Sequence, residues 1–185
     1  MRTHRPASLV LLAALVACAD SPDPTAFTAE ADVAYMASPD HPHNAVAPLA
    51  GDEEVPAVST RARGAAKFQL SADGQSITYR LNVANIVNVL QSHIHIGPPQ
   101  NTGNIVLWLC QTAANPDAQN PETPQCTEHN PLDTRNGRVE GVLNASRIRA
   151  QAANGIAAGE FGEVVALIRA GKTYANVHSA KFGPG

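Results

Sequence analysis

Charge is scarce in this chain. Lys and Arg number 13 and Asp and Glu 16, together 16% of 185 residues, for a formal net charge of -3. No Lys/Arg cluster runs along any candidate element, so the basic field that phosphates require is missing and nucleic-acid binding is excluded. Thiols are also few: three cysteines cannot build a cytoplasmic metal-thiolate site. No apolar run is long enough to remain in a bilayer as a spanning helix; the best one, Ala7 to Ala17, is interrupted by Ser8 and falls well short of the roughly 20 residues needed. There is no Gly-x-Ser-x-Gly elbow for nucleophilic catalysis and no Gly-rich phosphate loop ahead of a helix. The length suits one domain of ordinary size plus an export segment. With so few charges, the surface relies on Asn, Gln, Ser and Thr, which suits the extracytoplasmic side.

The N-terminus carries the strongest local signal. Arg2 and Arg5 precede the apolar run, the profile of a signal peptide. The run ends in Leu15-Val16-Ala17-Cys18, which resembles the lipobox of bacterial lipoproteins, in which the cysteine is diacylated and becomes the new N-terminus. Residues 1–18 are thus expected to be a leader with Cys18 as the lipid attachment site. Acyl chains would hold the protein on a membrane surface at roughly 0.8 kcal/mol per buried CH₂; ordinary secretion is the alternative. From Ala19 to Val46 the chain is rich in Ala, Pro, Asp and Ser, with Pro22, Pro24, Pro39 and Pro42 interrupting any regular element, and it reads as a flexible tether. Cys110 and Cys126 remain as a pair in a compartment where disulfides persist, and are expected to bond to each other.

Beyond the tether, short alternating runs separated by turn residues predict an antiparallel sheet protein. Ala66, Phe68 and Leu70 alternate with Lys67 and Gln69. After the turn Ala72-Asp73-Gly74-Gln75, Ile77, Tyr79, Leu81 and Val83 alternate with Thr78, Arg80 and Asn82, which makes a hairpin with one wet face. A third run, Val89 to Ile96, holds the dense histidine cluster. A fourth, Ile105 to Cys110, is apolar on both faces, which predicts a central strand with Trp108 in the core. The Pro- and Asn-rich stretch 111–136 reads as a surface insertion pinned by the disulfide. A short strand follows around Arg138 to Leu143. Phe161, Val164, Val165 and Ile168 fall at helical spacing between Glu160 and Ala170, with Gly171 as the stop. In the last run, Tyr174 to His178, residues Tyr174, Asn176 and His178 share one side.

Taken in order, Leu49-Ala50-Gly51 with Glu54-Val55-Pro56, the turn Leu70-Ser71-Ala72-Asp73-Gly74, His93-Ile94-His95 with Gly97-Pro98, Leu167-Ile168-Arg169-Ala170-Gly171, and Tyr174-Ala175-Asn176-Val177-His178 resemble the CHRD domain, the module named after chordin. The resemblance runs from about Pro48 to the C-terminus, within a β domain expected over residues 47–185. It implies a single, mainly β, antiparallel β-sandwich or barrel of Greek-key type with one short helix, found in chordin and in many bacterial secreted proteins, with a poorly defined biochemical role. The family's closing strand, of the type Glu-Ile-Arg-Gly-Gln, has no counterpart before Gly185: either the sequence is a fragment, or the domain is natively short and its sheet edge is closed by a partner or by self-association. The cysteine-bearing insertion is a second departure from the family pattern.

His93 and His95 stand two apart on a strand, so their rings share one face at roughly 7 Å backbone separation. That spacing allows chelation, and if the strand of His178 lies alongside, the three rings form a His₃ set suited to copper or zinc. The same spacing also fits histidines that only hydrogen-bond backbone groups. A histidine-x-histidine strand resembles part of a copper/zinc superoxide dismutase site, but no bridging histidine or aspartate ligand accompanies it. His4 lies in the leader, and His41, His43 and His129 read as solvated loop residues. Of Asp52, Glu53 and Glu54, consecutive residues that point to alternate sides, Glu54 belongs to the family-like Glu-Val-Pro and has no assigned role. Asn144-Ala145-Ser146 fits a glycosylation sequon, incidental in a bacterial lipoprotein. Two functions stay open: a non-enzymatic module of the cell envelope engaging a protein or envelope component, and a copper- or zinc-binding metalloprotein.

Overall fold

The computed structural model describes residues 44–97, 102–126 and 137–182. The leader with Cys18, the tether up to His43, and residues 127–136 of the insertion lie outside them. The described residues form a β-sandwich. Strands β1 (Asn44–Ala50), β2 (Arg63–Leu70), β3 (Ser76–Ala84) and β6 (Gly137–Asn144) make a four-stranded sheet in that order; β5 (Asn104–Cys110), β4 (Val89–Ile96) and β7 (Thr173–Ser179) make a three-stranded one. Every pairing is antiparallel. The first strand starts at Asn44, three residues before the boundary expected from composition, because Asn44 and Ala45 already pair with Gln69 and Phe68.

The four-stranded sheet follows its sequence alternation. Ala45, Ala47, Ala66, Phe68, Ile77, Tyr79, Leu81, Val139 and Leu143 are buried, each of the larger side chains contributing about 1.5–3 kcal/mol through removal from water. The opposite face carries a row across all four strands, Val46, Lys67, Arg80 and Glu140, with Arg80 Nε 2.5 Å from Glu140 Oε1. Tyr79 ties the two sheets together by donating its hydroxyl to the carbonyl of Leu109 on β5. Gly141, opposite Tyr79 in the ladder, makes room for it: a β-carbon there would stand 2.6 Å from the Tyr79 oxygen.

The three-stranded sheet corrects one expectation. The apolar run Ile105 to Cys110 is an edge strand, and the histidine strand β4 is the central one. A later, non-strand segment satisfies the open edge of β5, Arg149 N–H donating to the Val106 carbonyl at 3.0 Å and the Gln151 amide to that of Ile105, and the Arg149 side chain of the same segment covers Trp108 on its outer face. Helix α1 (Phe161–Arg169) buries Phe161, Val164, Val165 and Ile168 in the common core and leads into β7.

Cys110 and Cys126 form the expected disulfide. The loop it closes is exposed over much of its length but is organised around buried polar groups. The Gln111 side-chain amide donates to the carbonyls of Pro121 (2.9 Å) and Thr123 (2.6 Å), and its carbonyl oxygen accepts from Asp117 N–H at 2.7 Å. Asp117, 1% exposed, accepts from the Thr123 hydroxyl at 2.8 Å and pairs with Arg149 at 2.5 Å. A buried carboxylate is tolerable because each of its oxygens is hydrogen-bonded.

Candidate metal centre

On β4, Ile94 and Ile96 join the hydrophobic core, so strand alternation sends His93 and His95 to the other face. Register adds β7: His93 stands opposite Asn176, His95 opposite Tyr174, and Gln91 opposite His178. The rings of His93 and His95 have centroids 5.5 Å apart, and those of His93 and His178 5.0 Å. One ligating nitrogen from each of His93, His95 and His178 can be chosen so that all three lie within 4.8 Å of one another, and no carboxylate or thiol among the described residues joins the group.

The cluster is closed over. His93 is 0% exposed, His95 7% and His178 8%. Trp108 packs edge-on against His93 at 4.3 Å, and Tyr174 stacks on His95 at 4.9 Å with a 5° interplanar angle. Trp108 is half-buried and belongs to this face, not to the core expected of it; Arg149 lies over its indole at 5.1 Å. Gly103 clamps the opposite side through its backbone alone: its carbonyl lies 2.9 Å from His95 Nδ1, and its N–H donates to the Tyr174 hydroxyl at 2.7 Å. A β-carbon at Gly103 would meet the Ile96 carbonyl oxygen at 2.0 Å. The Asn176 amide sits between two rings, Oδ1 3.1 Å from His95 Nε2 and Nδ2 2.9 Å from His178 Nε2.

His93 is the exception among the three. Neither of its ring nitrogens has a hydrogen bond of ordinary length and alignment, and both are buried. Burial, followed by the charges of His178, His95 and Arg149, pushes the His93 pKa down to about 3, against a contact with the Asn176 side chain that favours the protonated ring. Burial likewise lowers that of His95. Both rings are therefore neutral at neutral pH and can offer lone pairs to a metal without first losing a proton. The Gly103 carbonyl favours the His95 proton on Nδ1, while Asn176 Oδ1 faces Nε2, so an ion taking the Nε2 lone pair requires the Asn176 amide to turn over or move aside.

Glu54 lies elsewhere. It lines an apolar cavity with Leu49, Val58, Val83, Val177 and Phe182, and burial raises its pKa to about 7. Asp52 and Glu53 sit in the short 3-10 turn before it. His4, His41, His43 and His129 lie outside the described residues. Of the residues walling the cluster, Tyr174 and Asn176 were visible in the alternation of the last strand. Gly103 and Arg149 carry no sequence pattern that points to a site.

The CHRD domain profile matches residues 45–185, well over half of the chain. The chain belongs to the CHRD family. No curated protein and no solved structure matches it. Within this CHRD domain the two histidines of the His93-Ile94-His95 motif and the last histidine of Tyr174-Ala175-Asn176-Val177-His178 come from adjacent strands and meet at one place. The disulfide and the domain type fit an extracytoplasmic protein. No helix of the described residues is long and apolar enough to cross a membrane.

Proposed function

We propose that this CHRD domain is a metal-binding module, holding one copper or zinc ion through His93, His95 and His178. One observation carries the reading: the two buried nitrogens of His93, which lack a hydrogen bond of ordinary geometry although the Asn176 side chain approaches the ring, sit between two further imidazoles. A histidine kept only for structure has its ring nitrogens hydrogen-bonded, because a stranded buried polar group costs about 1–3 kcal/mol. A bound ion supplies a partner for the one of them that carries the lone pair. The role is binding, storage or sensing; no carboxylate or thiol joins the rings among the described residues, and neither catalysis nor dismutase chemistry is assigned.

The proposal extends to location. A lipobox at Leu15-Val16-Ala17-Cys18 followed by a Pro-rich tether favours a lipoprotein whose domain projects from a membrane of the cell envelope. Labelling with a fatty-acid analogue tests this: label persisting on the Cys18→Ser protein would sink the anchor.

For the metal, the test is elemental analysis of the mature protein purified without a metal-binding tag, beside the His93→Ala/His95→Ala variant. Near-stoichiometric copper or zinc that disappears in the variant is expected. Absence of metal from the unaltered protein, even after incubation with both ions, would overturn the reading and leave a module that engages another protein or an envelope component.

A further inference from the structure

We infer that the ion this site selects is monovalent copper, Cu(I), and that the selection rests on charge rather than ligand softness; the inference depends on the metal-binding reading above. The donors are three imidazoles, all uncharged, and no anionic side chain joins them among the described residues. A Zn(II) or Cu(II) ion in this cluster keeps a net charge of +2, and Cu(I) keeps +1. The Born cost of taking an ion out of water grows as the square of its charge, so the divalent ions face a fourfold larger penalty in a site whose ligands are at most 8% exposed.

Two neighbours add to the discrimination. The Arg149 guanidinium rests on the face of Trp108, whose ring contacts His93. The nearest carboxylate tied to that guanidinium, Asp117, is held on Arg149 and by its own loop and does not reach the histidines. The position that could supply a counter-charge, Asn176, carries a neutral amide within 3.1 Å of His95 Nε2 and 2.9 Å of His178 Nε2. Coordination number points the same way. A divalent zinc with three protein ligands completes its shell with water or hydroxide, for which a cluster walled by Trp108, Tyr174 and Gly103 leaves little access. Cu(I) is content with three nitrogens.

The test compares the metal-free mature protein with its Asn176→Asp variant, which places a carboxylate where the amide now bridges two of the rings. Each is titrated anaerobically with Cu(I) against a Cu(I) chelator, and separately with Zn(II) against a Zn(II) chelator, with Trp108 fluorescence as the direct signal. The unaltered protein is expected to bind one Cu(I) in preference to Zn(II). In Asn176→Asp the ratio of Cu(I) to Zn(II) affinity should fall by roughly tenfold or more, as an added negative charge favours the divalent ion. A ratio unchanged by the carboxylate, or Zn(II) bound as tightly as Cu(I) by the unaltered protein, overturns the charge argument while the metal site stands. Failure of the unaltered protein to bind either ion removes the metal site itself, and this inference with it. Circular dichroism of both proteins separates a loss of binding from a loss of fold.

Discussion

Replacing His93 by leucine separates what this position does for folding from what it does for a ligand. The ring brings one N–H and one lone pair into a fully buried place where neither finds a hydrogen bond of ordinary length and alignment. Each group so stranded costs about 1–3 kcal/mol. Leucine, of similar volume, brings no polar atom but forfeits the edge-on contact with Trp108 at 4.3 Å, a type of contact worth about 0.5–1.5 kcal/mol. Two stranded groups outweigh that one contact by about 0.5–5 kcal/mol, and the lost edge-on contacts with His95 and His178 at 5.5 and 5.0 Å draw the balance down, so His93→Leu should be the more stable protein without metal by about 1 kcal/mol, a few degrees in Tm. Metal reverses the order. An ion at about 100 times its Kd adds about 2.7 kcal/mol to a protein that binds it and nothing to one that does not. Calorimetric scans of both proteins after chelation, and again with Cu(I) or Zn(II) added, give the four values needed. A chelated His93→Leu protein that melts below the unaltered one would mean that the ring nitrogens are satisfied after all, and the reasoning behind the metal site would lose its main support.

Other perturbations test neighbouring parts of the structure. Glu54, with its pKa raised by burial from 4.5 to about 7, is protonated more readily in the folded than in the unfolded chain between those values, so stability falls as pH rises through that window. With solvent screening of a partly exposed side chain taken into account, the loss is roughly 1–2 kcal/mol; Glu54→Gln should remove that slope in denaturant titrations from about pH 4 to 8, and an identical slope in both proteins would refute it. Gly103→Ala drives a β-carbon into the Ile96 carbonyl and should both lower Tm by several degrees and weaken metal binding, since the backbone that orients His95 must shift; unchanged affinity would show that the clamp is dispensable. Cys110→Ser/Cys126→Ser should cost about 3 kcal/mol, from the loop-closure entropy of a 16-residue separation, measured as a shift in the urea midpoint.

The sequence made the hairpin of β2 and β3 legible because that sheet has one wet face, and its side chains alternate accordingly: Phe68, Ile77, Tyr79 and Leu81 in, Lys67, Gln69, Thr78 and Arg80 out. It misled at β5. An apolar run on both faces signals burial on both faces, but not what does the burying, and here the cover is the segment carrying Arg149 and Gln151. The start of β1 was hidden because Asn44 to Pro48 contains too few large apolar residues to stand out from the tether. For the site, the His93/His95 spacing was readable on one strand. That His178 meets them depends on β4 pairing with β7, a long-range contact that no local pattern encodes. Trp108 read as core for the same reason as its strand. Gly103 acts through two backbone atoms, and a residue that contributes no side chain leaves no chemical signature to find.

The disulfide loop has a bearing on when the histidine cluster becomes complete. A continuous set of contacts runs from Cys110–Cys126 through the loop they close to Asp117, from Asp117 to Arg149, from Arg149 to the indole of Trp108, and from there to His93. Its first member is made only where thiols are oxidised. A chain still in a reducing compartment therefore lacks the covalent closure behind one wall of the cluster, while the strands that carry the histidines do not depend on it. Closure of that wall is thereby tied to the redox state of the compartment in which the domain folds.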